Sequence, residues 1–358
     1  MNPPESLVAD LGPWDRFVEA TELGSYLQLG AWARVKAING WSAHRLTAHD
    51  PGGPRIGAQI LVRWPRPLPW GFAYAPRGPV ARDWSRSSLA SFSDEVRRSL
   101  AARAGPVSHL RIDPEIELDG PLDPDGALRR ALTEVGWRPA PPIQPASTRL
   151  IDLSPDETAL WGQLRKKWRQ YVNKARTAGV TVVDADGDRL GEFYRIYRET
   201  ADRAGFLIRT EAAYRDVWQA YRPQGRARLL FARTADGESV ATLFLVRSGP
   251  RVVEPYGGMT RLGAETRANY LLKWEAIRTS REQGACSYDL WGLATGGIAY
   301  FKTGFGGREV RYIGAWDLTL DRLGRTAYEN ALRARVWWTR RRHGLSGGAN
   351  AAAFGDGE

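Results

Sequence analysis

Between residues 14 and 39 the apolar positions Phe17, Leu29, Trp32, Val35 and Ile38 recur at helical spacing, and Gly40 offers a left-handed stop. The pattern predicts two helices. It then changes to alternation: Ile56, Ala58, Ile60, Val62 and Trp64 share one face of a segment 55–64, which follows 41–49 and the turn Asp50-Pro51-Gly52-Gly53. This predicts antiparallel strands, with a third over 71–75. Leu89, Phe92, Val96 and Leu100 restore the helical period up to Gly105-Pro106. A strand over 107–112 follows, then a helix through Leu128, Leu132 and Val135 stopped by Gly136. The predicted order is α-α-β-β-β-α-β-α.

The Pro-rich stretch 138–147 reads as a semi-rigid linker. Beyond it Leu160, Leu164, Trp168 and Val172 form one stripe of a helix ending at Gly179, and Phe193, Tyr197 and Ala204 mark another ending at Gly205. A helix over 211–221 leads into strands 228–233, 240–247 and 251–256, joined by Asp236-Gly237 and Gly249-Pro250 turns. A helix over 268–283 and a strand over 287–290 complete a second round of the same order. That order matches an α/β (α+β) fold of two tandem GNAT-like acyltransferase domains, in which splayed central strands admit an acyl donor. The expected boundaries are 1–145 and 146–319, with a helix in 320–343 packing back on the first domain through Leu332, Val336 and Trp337, and a disordered tail over 344–358.

Composition narrows the class. The 358 residues, 43% hydrophobic and 25% charged, contain no basic-then-apolar leader and no run of the ~18 apolar residues a membrane span needs. A soluble, cytoplasmic monomer without stable membrane insertion is expected. Cys286 is the only cysteine, which excludes an internal disulfide, a thiolate metal cluster and a CxxC redox pair. The net charge of +11 favours a polyanionic partner. Only six of the 51 basic residues are lysines, Lys36, Lys166, Lys167, Lys174, Lys273 and Lys302, so each retained lysine merits attention.

Phosphate-loop, HExxH and GxSxG motifs are absent, and no metal or cofactor is implied. The loop before the helix at 268 reads MTRLGAETRAN rather than the glycine-rich run that holds the pyrophosphate of acetyl-CoA. The fold is expected without its usual cofactor signature.

Six segments occur in order: WARVKAINGW (32–41), RIDPEI (111–116), EPYGGMT (254–260), NYLLKWEAI (269–277), YDLWGL (288–293) and FKTGFGG (301–307). Together they resemble the FemABX family across almost the whole globular part of the chain. The resemblance implies transfer of an amino acid from aminoacyl-tRNA to the side-chain amine of a peptidoglycan precursor stem peptide, carried by UDP-MurNAc-pentapeptide or lipid II. The long helical hairpin of many members that act on the lipid-linked precursor is not expected here, since the helix after 157 runs to Gly179 and a strand. Alternatives are a tRNA-dependent peptide ligase of secondary metabolism and a CoA-dependent N-acyltransferase.

The resemblance assigns Phe301 and Lys302 to the tRNA 3′ end and the reacting ester, the first for stacking, the second for charge on a developing oxyanion. Gly304, Gly306 and Gly307 would let the backbone approach a ligand closely. Lys36 and Arg209 match phosphate-contacting positions, although Lys36 also reads as a solvated cation in the last turn of a helix. Tyr256 and Tyr214 are stem-peptide candidates, with the spacing to Tyr214 one residue longer than in relatives. Asp113 is either a substrate-contacting general base that deprotonates the acceptor amine or an ordinary Asp-Pro turn former, and Asp289 has the same two readings. Lys166, Lys167, Arg169 and Lys174 make a basic run without acidic residues, either a tRNA-binding face or a solvated one.

Overall fold

The structure, a computed structural model, describes residues 11–50, 53–65, 68–101, 105–293 and 296–343. The tail 344–358 lies outside the described residues. Helices α1 (Leu11–Glu19) and α2 (Gly30–Ile38) precede strands β1 (Ser42–Asp50), β2 (Gly53–Arg63), β3 (Gly71–Ala75) and β4 (Val80–Ala81). Next come α3 (Arg86–Ala101), β5 (Val107–Ile112), α4 (Ala127–Glu134) and β6 (Trp137–Ala140). The second half holds β7 (Ser147–Asp152), α5 (Glu157–Gln163), α6 (Lys166–Thr177), β8 (Thr181–Ala185), α7 (Leu190–Ala204) and α8 (Glu211–Tyr221). It continues with β9 (Ala227–Arg233), β10 (Ser239–Ser248), β11 (Arg251–Met259), α9 (Arg261–Glu265), α10 (Ala268–Glu282), β12 (Ser287–Asp289), α11 (Gly297–Thr303) and β13 (Arg308–Arg311). Strand β14 (Ala315–Thr319) and α12 (Arg322–His343) follow.

Contacts divide the chain into one unit of Met1–Ala146 with Arg311–Glu358 and another of Ser147–Val310. In the first, the sheet runs β1-β2-β3-β5-β14-β6, with β4 against β2. The apolar face read on β2 is buried: Ile56, Ala58, Ile60 and Val62 are completely buried and cluster with Leu89, Phe92, Val96 and Leu100 of α3, but the opposite face is covered too, with Gln59 and Leu61 also buried. Trp64 and Ile38, at the ends of their patterns, are exposed.

Three expectations change here. The Pro-rich stretch contains structure at both ends: β6 pairs with β14, Pro139 opposite Trp316, and β7 pairs with β12. Proline is tolerated because β6 is an edge strand, where a missing N–H removes no ladder bond. The boundary expected at 319 moves to 310, because β14 inserts between β5 and β6 of the first sheet. Helix α12 meets the first unit through Tyr328, stacked 4.7 Å from Phe72, while Trp337 stays half exposed; the side chains of Leu332 and Val336 lie outside those described.

In the second unit the sheet runs β13-β7-β12-β11-β10-β9-β8. The single helix expected before Gly179 is two, broken at Leu164 and Arg165, where the Arg165 amide leaves the helical ladder to donate to Gly304 O at 2.9 Å. The apolar stripe survives the break, since Leu160, Leu164, Trp168 and Val172 are all buried in one core. Strands β11 and β12 pair in parallel from Arg251 opposite Ser287 to Val253 opposite Asp289. There β12 ends, while β11 continues to Met259 on β10 alone, and the strands separate from Glu254 onward. Among the described residues no helix is long and apolar enough to cross a membrane.

Candidate active site

A cavity of about 670 Å³ opens where β11 and β12 separate. Its walls include Glu254, Gly257 and Gly258 of β11, Tyr270 and Lys273 of α10, and Tyr300, Phe301 and Lys302 of α11. The sequence placed Phe301 and Lys302 at the chemistry, and both stand on this wall.

Phe301 packs edge-on against Tyr270 at 5.0 Å and Phe305 at 5.1 Å, so its ring orientation is set by aromatic neighbours. Its backbone carbonyl accepts the Trp168 indole N–H at 3.0 Å. The Lys302 ammonium donates to Trp291 O and, at 2.8 Å, to Gly292 O. An ammonium has three N–H donors, and these carbonyls take two. Burial pushes the Lys302 pKa down to about 8; the Lys273 ammonium pushes the same way, while Glu254 and Asp289 oppose.

The carbonyls that hold Lys302 belong to a bend organised by Asp289. That carboxylate, completely buried, accepts the Thr148 hydroxyl, the Arg251 guanidinium and, at 2.8 Å, the Trp291 amide. Trp291 has φ of 49°, the left-handed region that a bulky residue enters only when its surroundings hold it there. Of its two readings, Asp289 follows the turn-forming one.

Crowding at the three glycines of FKTGFGG is against the chain itself. A Cβ on Gly304 would stand 2.3 Å from the Trp168 indole, one on Gly306 2.8 Å from Gln163, and one on Gly307 2.3 Å from Leu150 O. The close approach they permit here is within the protein, between the segment after α11 and residues of α5, α6 and β7.

Tyr214, Tyr256 and Arg209 come together on α8, β11 and the segment before α8. The Arg209 amide donates to the Tyr214 hydroxyl at 3.2 Å, and the Tyr214 and Tyr256 rings meet edge-on at 5.0 Å. Burial raises the pKa of Tyr214, Tyr256 and neighbouring Tyr197, and Arg209 draws all three down. The longer spacing therefore does not remove Tyr214 from this cluster.

Lys36 and Asp113 lie in the first unit. Lys36 is 5% exposed, with its ammonium 5.0 Å from the centroid of the Trp32 ring, which removes the solvated-cation reading. Asp113 is buried; it accepts the Tyr74 hydroxyl at 2.7 Å, the Arg77 amide at 2.6 Å and the Gln144 amide at 3.3 Å, and burial raises its pKa. Both its oxygens serve local structure.

On α6, Lys166, Lys167 and Lys174 are exposed, whereas the Arg169 guanidinium donates to Gly162 O at 3.0 Å and Leu164 O at 2.6 Å, closing the end of α5. Lys167 also faces the Tyr171 ring at 5.7 Å, and Arg267, on the cavity wall, faces the same ring at 4.6 Å. The basic face of α6 thus continues into the cavity rim.

The segment 259–269 does not form a pyrophosphate nest. Its amides are used internally: Gly263 N donates to the Thr260 hydroxyl at 3.1 Å, Ala264 N to Thr260 O at 3.1 Å, and Thr266 N to Leu262 O at 2.9 Å.

Sequence reasoning missed one part of the wall. Lys273 is ion-paired with Glu254, whose other oxygen accepts the Tyr288 hydroxyl at 2.7 Å, and all three residues are buried. The scarcity of lysine singles out Lys273 along with the other five, but nothing in the sequence pairs it with Glu254 and Tyr288.

The FemAB family model matches residues 13–236 and 227–332. Lipid II:glycine glycyltransferase from Staphylococcus aureus (strain MRSA252) is 27% identical over 231 residues, 63% of this chain and 54% of that protein, so the chain spans about half the length of the curated relatives it matches. The crystal structure of FemX superposes with a TM-score of 0.79 at 21% identity, covering 88% of this chain and 97% of that one. A tandem GNAT protein from the clavulanic acid biosynthesis pathway gives 0.52 at 12% identity over 87% and 94% of the two chains. These likenesses bear on fold, and the fold is two GNAT-like domains.

Proposed function

We propose, from the premise that this chain belongs to the FemAB family, that it is an aminoacyltransferase extending the side-chain amine of a peptidoglycan precursor stem peptide with an amino acid drawn from aminoacyl-tRNA. The observation that carries the reading is the Phe301–Lys302 pair on the wall of a cavity at the strand splay, where GNAT-like folds admit an acyl donor. The relative named for glycyl transfer to lipid II supports the substrate class.

In this reading the neutral acceptor amine attacks the ester carbonyl, the N–C bond forms, and the bond to the ribose oxygen breaks. The surplus proton of the attacking nitrogen ends on that oxygen. Negative charge builds first on the carbonyl oxygen and then on the leaving oxygen, where a preorganised cation contributes a few kcal/mol. Two Lys302 donors are held by Trp291 and Gly292, and the third is assigned to the oxyanion. Phe301 offers its ring to the terminal adenine, and the exposed lysines of α6 meet the RNA backbone. Tyr214 and Tyr256 are assigned to the stem peptide and Arg209 to a phosphate, while Lys36, in the other unit, keeps the phosphate-contacting role that the resemblance implies. Asp113, whose two oxygens accept the Tyr74 hydroxyl and the Arg77 and Gln144 amides, is given no part in the transfer.

The test is to incubate the purified protein with charged tRNAs and either UDP-linked pentapeptide or lipid II and to read product masses. An added aminoacyl residue is expected on one of them. No addition with any tRNA on either acceptor overturns the reading.

A further inference from the structure

A buried ion pair is costly, since two ions leave water, and apolar residues of the same size would often serve stability equally well. Lys273, 3% exposed, and Glu254, 6% exposed, are such a pair, and they sit on the cavity wall rather than in the middle of a core. The pair is completed by Tyr288, wholly buried on β12, whose hydroxyl holds the second Glu254 oxygen at 2.7 Å. Glu254 follows the last β11–β12 register position, so the chain Tyr288–Glu254–Lys273 spans the root of the splay.

From there Lys273 reaches toward the reactive pair. Its ammonium lies 5.5 Å from the centroid of the Phe301 ring. Phe301 and Lys302 are adjacent on α11, so a cation bound to one is a like charge beside the other. We propose that Tyr288, Glu254 and Lys273 form a positioning chain for Phe301 and Lys302, setting a fixed second ammonium against which the Lys302 ammonium is held on the Trp291 and Gly292 carbonyls. This rests on the aminoacyl-transfer reading for its purpose, though not for its existence.

The charged and titratable groups around Lys302 define what the chain can do. Lys273 comes from α10, Glu254 from β11, and Asp289 from β12, where Arg251 of β11 takes one Asp289 oxygen. Tyr288 and Tyr270 flank them. Lys273 lowers the Lys302 pKa, and Glu254 raises it. Removing one or the other should therefore move the Lys302 titration in opposite directions, which loss of packing alone would not do.

With six lysines in the chain, side-chain NMR of protein labelled with nitrogen-15 lysine can follow Lys302, assigned by its disappearance in Lys302→Met. We expect Lys273→Met to shift the Lys302 midpoint to higher pH, on the order of one pH unit, and Glu254→Gln to shift it lower. Lys273→Gln, which keeps a donor for Glu254, should reproduce the upward shift even where Lys273→Met folds poorly. Lys273→Arg should hold the midpoint within a few tenths of a pH unit, as expected if charge is what matters. Midpoints that stay at the wild-type pH in Lys273→Gln and Glu254→Gln, or that move in the same direction in both, overturn the proposal. The titration needs no tRNA, so failure of the transfer assay and failure of this coupling are read separately.

Discussion

The Trp168 indole N–H donates to the Phe301 carbonyl at 3.0 Å, while the same indole leaves no room for a Cβ on Gly304. Helix α6 thereby fixes both ends of the short segment that carries Phe301 and Lys302. Gly304→Ala would drive a methyl to 2.3 Å from that indole, and overpacking of this kind costs about 1–3 kcal/mol. Thermal unfolding should show the loss, and transfer should fall further than stability, because α11 must shift to relieve the clash. Unchanged unfolding would show that the indole yields without cost.

Lys302→Met should lower turnover by about 10²- to 10³-fold, the scale for losing one oxyanion donor, while stem-peptide affinity measured by calorimetry stays within about twofold. Loss of affinity in step with turnover would move Lys302 from the reacting ester to the acceptor.

The pH profile carries a signed expectation. An unperturbed acceptor amine titrates near pH 10.4, so its neutral fraction rises with pH throughout the working range. Lys302 is half deprotonated at about 8, and above that the two trends cancel. Transfer should rise to about pH 8 and then level off. Lys302→Arg, slower but permanently charged, should keep rising past that point. A wild-type rate that continues upward beyond pH 9 would contradict a role for the charged form.

Tyr214→Phe removes the acceptor of the Arg209 amide, a bond worth about 1 kcal/mol. We expect a five- to tenfold higher KM for the stem peptide with kcat little changed. A fall in kcat at constant KM would place this cluster at the reacting atoms.

On α6, Lys166→Ala with Lys167→Ala should reduce the slope of log affinity against log salt by about 1.4 to 1.8, the counterion release of two phosphate contacts. Arg169→Ala should instead cost stability, since its guanidinium closes α5 through the Gly162 and Leu164 carbonyls. An unchanged salt slope in the double variant would return the run to a solvated face.

Periodicity made much of the fold legible, because burial on one side of a strand or helix is written directly into apolar spacing. The face Ile56–Val62 of β2 and the Leu160–Val172 stripe are both buried as read, although β2 also buries Gln59 and Leu61 on its other face, which the spacing does not report. Periodicity cannot report which strand pairs with which. Spacing alone therefore leaves β14 with the second half and makes β6, with Pro139 on an edge, read as linker. The stripe through Leu164 also continued across a break made by a distant carbonyl, Gly304 O. At the site, Phe301 and Lys302 were readable as a motif. Their support was not, since Trp168, Asp289, Glu254 and Lys273 act through contacts between residues far apart in sequence.

The insertion of β14 between β5 and β6 bears on how the chain is made. Residues 147–310 are one continuous stretch and can close their own sheet as soon as they have been synthesised. The first sheet cannot, because its missing strand emerges just over two hundred residues after β5. Until then β5 and β6 keep open edges that invite pairing with another nascent chain. The half that begins first therefore finishes last, the reverse of the usual N-terminal-first order of synthesis. A released chain truncated before residue 315 would hold a complete second unit and an unfinished first one.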